Sequence, residues 1–212
     1  MKKILIIGSS GYVGSVLVNF LKKKYFLYGI DTEWFKTKVF DKNSYSEFQP
    51  NKFLLTDLRK INLAELNFVP DVIIYLAAIS NDPMGKQFRK LTHEINTHYC
   101  EKIAKQAKKI GVRKFIFASS CSIYGAAGNA KKKETHKISP LTDYAKSKVN
   151  SENKLKKLSN NKFKVISLRF ATAAGYSPKL RLDLVFNDFI ANAVTKKKIL
   201  ILSDGSPWRP LI

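Results

Sequence analysis

The stretch Gly8-Ser9-Ser10-Gly11-Tyr12-Val13-Gly14 constrains this chain most, because three glycines spaced three apart follow directly on the apolar run Ile4–Ile7. A buried strand entering a glycine turn and then an amphipathic pattern predicts a strand–turn–helix unit. Gly8 permits the tight turn, Gly11 lets the backbone approach a pyrophosphate, and Gly14 lets the helix pack closely on the strand. The spacing is GxxGxxG, not the commoner GxGxxG, but the helix start still offers N–H groups and a positive dipole end to phosphates. Asp31 ends the second apolar run, twenty residues after Gly11. An acid there accepts bonds from the adenosine ribose hydroxyls and repels a 2′-phosphate. The expected cofactor is therefore NAD in preference to NADP.

The pattern continues along the chain. Strands are expected at Lys3–Ile7, Phe26–Ile30, Lys52–Leu55, Val72–Leu76, Lys114–Ala118 and Lys164–Leu168, and helices at Tyr12–Lys23, Gln87–Ile110 and Thr142–Leu158. This alternation predicts an α/β fold: a doubly wound parallel sheet of Rossmann type with right-handed crossovers. After Leu168 the pattern changes. Gly175, Pro178, Pro207 and Pro210 interrupt it, and only Leu182–Val194 reads as helix. We divide the chain into a cofactor domain over 1–168 and the start of a substrate-facing region over 169–212.

Other classes are set aside on composition. The net charge of +22 raises nucleic-acid binding. The lysines are scattered, however, and the short clusters at Lys22–Lys24, Lys131–Lys133 and Lys196–Lys198 carry no interleaved aromatics for base stacking. A positive field also suits a dinucleotide and a diphosphate substrate. No apolar run is long enough to span a membrane. The basic, apolar start Met1–Ile7 is broken by glycines and lacks a following small-residue cleavage site, so it reads as a strand and not a signal peptide. Cys100 and Cys121 form no CxxC or disulfide framework, which points to a reducing cytoplasm. His93 and His98 are five apart and would point to different sides of a helix, so no metal is expected.

Tyr144-Ala145-Lys146-Ser147-Lys148 places Tyr144 and Lys148 one helical turn apart. A lysine ammonium beside a phenol stabilises the phenolate, making Tyr144 a usable general acid/base. Upstream, Ser119-Ser120-Cys121-Ser122-Ile123-Tyr124-Gly125 follows a buried strand, so its hydroxyls face the ligand crevice of such a sheet.

With these pieces the chain resembles the extended short-chain dehydrogenase/reductase family, in its NAD-dependent epimerase/dehydratase branch. The resemblance is carried in order by Gly8–Gly14, Asp31, Asp57-Leu58, Leu76-Ala77-Ala78, Ile95-Asn96, Ser119–Gly125, Tyr144–Lys148, Leu168-Arg169-Phe170 and Asp204-Gly205 with Trp208-Arg209-Pro210. It implies catalytic roles for Ser120, Tyr144 and Lys148, with Ser120 bonding the reacting sugar oxygen and Lys148 also holding the nicotinamide ribose. Cofactor contacts are implied at Gly8, Ser10, Gly11, Tyr12, Val13, Gly14, Asp31, Asp57, Leu58, Leu76, Ala77, Ala78, Asn96, Tyr144, Lys148 and Phe170. Asn96 would act mainly by supporting the site. Substrate contacts are implied at Ser120, Thr172, Asn187 and Arg209, the last gripping a diphosphate.

The resemblance also implies a nucleotide-sugar substrate and a homodimer through the helices at Gln87–Ile110 and Thr142–Leu158, whose apolar residues exceed what one sheet face needs. The 4,6-dehydratases carry Asp-Glu after the catalytic hydroxyl, whereas Cys121 and Ser122 stand here. Hydride transfer to and from a sugar carbon, as in a 4-epimerase, is thus the favoured chemistry. A dehydratase or reductase, a non-catalytic NAD-binding regulator and a basic nucleic-acid binder are the alternatives. The family's substrate region continues beyond what corresponds to Ile212, so the chain is expected to be a fragment.

Overall fold

The computed structural model describes residues 1–34, 45–80, 82–126, 131–204 and 210–212. Six strands are present: β1 (Lys3–Ile7), β2 (Phe26–Asp31), β3 (Lys52–Leu55), β4 (Val72–Tyr75), β5 (Lys114–Ser120) and β6 (Lys164–Phe170). They pair entirely in parallel in the order β3-β2-β1-β4-β5-β6. The order reverses between β1 and β4, which opens a crevice at their carboxyl ends.

The strand β1 is central, and its residues alternate between two cores. Leu5 and Ile7 pack with Ile30, Ile73, Tyr75, Phe115 and Phe117 on one face. Ile4 and Ile6 pack with Val18, Leu27 and Ile74 on the other. Helix α1 (Tyr12–Leu21) covers this second face through the fully buried Val18. The cover does not extend to β6, where Ile166 and Leu168 remain 42% and 41% exposed.

The expected helix Gln87–Ile110 is present from Arg89 to Lys109, as two α-helical parts joined through a π-helical segment, with a separate short helix before it. Helix α2 (Asp82–Gln87) ends at Phe88, whose φ of −117° and ψ of 50° are not helical. Helix α3 (Arg89–His93) then runs through a π-helical segment, Glu94–Tyr99, into α4 (Cys100–Lys109). Helix α5 (Asp143–Leu158) begins where Thr142 Oγ1 accepts the Ala145 amide at 3.1 Å, and it carries Asp143 in its first turn and Lys156 and Lys157 in its last. Both placements complement the helix dipole.

Strand ends also differ from expectation. β5 and β6 each run two residues further, to Ser120 and Phe170, because their pairing continues through Ser119↔Arg169 and Ser120↔Phe170. The boundary drawn after Leu168 thus falls inside β6. Helix α6 (Val185–Lys196) starts three residues later than expected, since Leu184 has the extended backbone of an N-cap. Residues 210–212 return alongside 172–174, with Thr172 N donating to Pro210 O at 3.0 Å and Ile212 N to Thr172 O at 3.1 Å. No helix among the described residues is long and apolar enough to cross a membrane.

Candidate active site

The glycine turn lies at the sheet's switch point. Gly8 has a φ of +92°, and a Cβ there would come within 2.6 Å of the Ala77 amide nitrogen. Glycine is needed on both counts, because the ends of β1 and β4 meet there backbone to backbone. Leu76 N and Ala77 N both donate to Ile7 O, at 2.8 and 3.0 Å. A Cβ on Gly14 would stand 2.1 Å from Gly8 O, so the helix packs on the turn itself and not on the strand as expected. Gly11 differs: an added Cβ would meet only Gly8 O, at 3.5 Å, an ordinary contact. Nothing among the described residues demands glycine at that position.

Gly11 is also the N-cap of α1, which has no side-chain cap and no acid in its first turn. Tyr12, Val13 and Gly14 therefore present an uncapped helix start, suited to a phosphate. Asp31 sits beside it, accepting the Ser10 amide through Oδ2 at 3.0 Å and the Glu33 amide through Oδ1 at 2.9 Å. A carboxylate has about four acceptor positions, so ribose hydroxyls can still be accommodated.

The remaining residues expected at the cofactor fall into two groups. Ala77 and Ala78 line the crevice end of β4 and are half-buried, as is Phe170 beside Ser120. Other side chains are already engaged. Leu58 is 9% exposed and belongs to the core, while Leu76 packs on the α1 face. Asp57 caps the turn Leu58–Lys60 and is forked by Arg59 at 2.8 to 3.1 Å. That bond holds its carboxyl below the usual range.

Asn96 is 1% exposed. Its Oδ1 accepts Ile79 N at 2.9 Å, and its Nδ2 donates to Ile79 O at 3.0 Å and Ser147 Oγ at 3.1 Å. It clamps the loop after Ala78 onto α5 from behind. Of the residues expected at the substrate, Thr172 pairs with residues 210–212, and Asn187 bonds the Tyr12 hydroxyl at 3.1 Å, Gly175 N at 3.1 Å and Arg181 O at 3.0 Å. Tyr12 OH itself donates to Gly175 O at 2.8 Å. Asn187 thus joins α6 to the glycine turn. Arg209 lies outside the described residues.

Tyr144 and Lys148 do share a face of α5, against the end of β5. Lys148 is 3% exposed, and its Nζ lies 5.5 Å from the Tyr144 ring centroid and 4.8 Å from that of Phe117. It donates to Ala118 O at 2.6 Å, two residues before Ser120. An ammonium has three donors, and the described residues take up one of them. Burial pushes this lysine down to about 8, against the opposing pull of Cys100 and Glu152. Ser120 ends β5, and its Oγ accepts the Ser122 amide at 3.2 Å. Cys121 is half-buried and Cys100 fully buried, and neither is in a disulfide. No cluster among the described residues could hold a metal ion.

Three contacts were not foreseen from sequence. Ser147 Oγ donates to Tyr144 O at 2.7 Å, linking it to the Asn96 clamp. Glu152, one further turn along α5 from Lys148, bonds Ser119 and Arg169. Its spacing of four from Lys148 was the available signal.

Known proteins share this arrangement of chain. The family described as NAD dependent epimerase/dehydratase matches residues 4–212. An uncharacterized UDP-glucose epimerase of Bacillus subtilis is 30% identical over 217 residues, covering 98% of this chain and 67% of that protein. A dTDP-D-glucose 4,6-dehydratase of Dictyostelium discoideum is 27% identical, covering 99% of this chain and 52% of its own length. Among solved structures, UDP-glucuronic acid 4-epimerase from Bacillus cereus, in complex with UDP-glucuronic acid and NAD, superposes with a TM-score of 0.84 at 27% identity. That match covers 99% of this chain and 68% of the other. The chain thus spans from about half to just over two thirds of these proteins.

Proposed function

This chain belongs to the NAD dependent epimerase/dehydratase family, and from that premise we propose that it takes part in the 4-epimerisation of a nucleoside-diphosphate sugar. The observation that carries the reading is buried Lys148, whose Nζ lies 5.5 Å from the Tyr144 ring and bonds Ala118 O, two residues before Ser120.

The uncapped start of α1, the open space at Gly11 and the unspent donors of Lys148 fit NAD. Gly8–Gly14 would hold its pyrophosphate, Asp31 its adenosine ribose and Lys148 its nicotinamide ribose. Bound there, NAD supplies a hydride acceptor that can later return the hydride. The phenolate of Tyr144 takes the proton from the sugar hydroxyl, and the charge of Lys148 keeps that phenolate accessible. Ser120 donates a hydrogen bond to the oxygen as it gains carbonyl character. Neither Cys121 nor Ser122 offers the carboxyl that water elimination needs. Thr172, Asn187 and Arg209 stay assigned to the substrate side, the boundary near 168 to the join between cofactor and substrate regions.

The Rhizobium meliloti relative named UDP-glucose 4-epimerase makes UDP-glucose the first substrate to try, with UDP-glucuronic acid second. The NAD-loaded protein should convert one of them to its C4 epimer, read by NMR. A correctly folded, NAD-loaded full-length protein that epimerises no nucleotide sugar would refute the proposal.

A homodimer and a cytoplasmic setting belong to the same reading. The structure alters the argument for the dimer, because Ile103, Ala104, Ala107 and Leu155 are fully buried in the core. The outer faces carry charged and polar groups instead, including Arg89, His93, Asp143 and Lys146 around a cavity of about 500 Å³. Such a dimer would be polar at its rim and weaken with salt. Light scattering showing only monomer at high concentration and low salt would exclude it.

A further inference from the structure

One part-buried ion pair, Glu152 with Arg169, has no task in the reading above. Glu152 follows Tyr144 by two helical turns and Lys148 by one, so all three line one face of α5. Arg169 stands on β6 in register with Ser119. The two side chains are 13% and 19% exposed. The guanidinium forks the carboxylate, with Nε to Oε1 at 3.1 Å and Nη2 to Oε2 at 2.8 Å.

Contacts leave this pair on both sides of Ser120. Ser119 Oγ donates to Glu152 Oε1 at 2.5 Å. Arg169 Nη1 donates to the Tyr124 hydroxyl at 2.8 Å and to Glu134 O at 3.1 Å. The guanidinium carbon also lies 5.3 Å from the Tyr124 ring centroid. The turn carrying Ser120 is therefore held before and after that residue by one pair, which is anchored in the helix that carries Tyr144.

We propose that the Glu152–Arg169 pair is a positioning device that fixes the Ser119–Tyr124 turn, and with it the Ser120 hydroxyl, relative to Tyr144 on α5. The proposal rests on the functional reading above. Stability alone is a poor reason for such a pair, since exposed ion pairs contribute little and burying two charges costs about as much as their attraction returns. Directional bonds fix distance and angle between the helix and the sheet more narrowly than non-directional apolar contacts do. A reacting group misplaced by about 1 Å loses on the order of a hundredfold in rate.

The test uses NAD-loaded protein with UDP-glucose and UDP-glucuronic acid, plus amide hydrogen exchange. Glu152→Gln and Arg169→Met should each lower kcat on the order of ten- to a hundredfold, with KM and NAD affinity within about threefold. The double variant should be little worse than the worse single one. Arg169→Lys should not rescue, because an ammonium lacks the fork. Tyr124→Phe, which keeps the pair, should give a smaller loss. Exchange should accelerate on the order of tenfold across Ser119–Tyr124 but not in β1 or β2.

Folded variants with kcat within about twofold of wild type, or with unchanged exchange at the turn, overturn the proposal. So does full rescue by Arg169→Lys, or exchange that rises equally throughout the sheet. Tyr144→Phe separates the two claims. If it keeps turnover, the functional reading fails; if it is inactive while Glu152→Gln is active, only the positioning role fails. Exchange decides the positioning role even where neither sugar is turned over.

Discussion

The carboxylate of Asp31 holds the Ser10 amide at 3.0 Å, tying the end of β2 to the middle of the glycine turn. An acid so placed should favour NAD over NADP by at least about tenfold, or about 1.4 kcal/mol. Asp31→Ala should narrow that gap to about threefold. It should also weaken NAD itself, because the turn loses an internal tether. Calorimetric titration of both cofactors checks this, and equal affinities in the wild type would end the assignment.

The three glycines of the turn should behave differently when each becomes alanine. Gly14→Ala puts a Cβ 2.1 Å from Gly8 O, so backbone must move. A loss of about 2 kcal/mol or more is expected, in the range of strained or overpacked sites. Gly11→Ala meets nothing closer than 3.5 Å and should leave the melting temperature nearly unchanged. Its NAD affinity should nevertheless fall on the order of tenfold, as the methyl occupies the path of the phosphates. Unchanged NAD affinity in Gly11→Ala would remove the phosphate from this position.

Lys148 has a stability signature in pH. Its folded value, pushed by burial to about 8, lies below that of the unfolded chain. The folded state therefore binds fewer protons than the unfolded state from about pH 8 to about 10.5, and this residue's contribution to stability rises across that window by about 3 kcal/mol. Neighbouring Cys100 acts oppositely, since burial pushes its thiol up and stability falls once the unfolded thiol ionises. Tyr144 and Glu152 on the same helix face complete the surroundings. The difference between wild type and Lys148→Met isolates the lysine. Denaturant midpoints should favour the methionine variant at pH 7 and lose that advantage by pH 10.5. A flat difference would place the ammonium in water.

Tyr144 and Lys148 should share one catalytic task. Tyr144→Phe or Lys148→Met alone should cost on the order of 10²–10⁴ in turnover, and the double variant little more. Losses that simply multiply would mean independent roles. Near-normal turnover by Tyr144→Phe would refute the proposed chemistry.

Local signals carried much of this architecture. The bounds of β1 and β3 follow directly from short apolar runs between turns, and the Tyr144–Lys148 spacing led to two side chains on one helix face. Polar strand ends misled, because Ser119 and Ser120 read as loop although pairing with β6 keeps them extended. At α6 the apolar Leu182 and Leu184 suggested an early helix start, and only the backbone angles place Leu184 outside it. The partnership of Tyr12 with Asn187 spans 175 positions. No periodicity reports a contact at that distance, so it had to come from tertiary structure.

The π-helical segment Glu94–Tyr99 gives its helix two phases. Wider turns accommodate an additional residue, so the part before it and the part after it address different partners. The carbonyl of Asn96 is taken by Ser151 Oγ at 2.8 Å, and Thr97 Oγ1 donates to Ser147 O at 3.1 Å. Removing one residue here would restore a continuous α-helix and rotate everything upstream by about 100° about the axis. The upstream face that now meets α5 would swing away from it, although no residue touching the sheet had changed. A single position in the count of the chain, carrying no chemistry of its own, thereby sets which way half a helix faces.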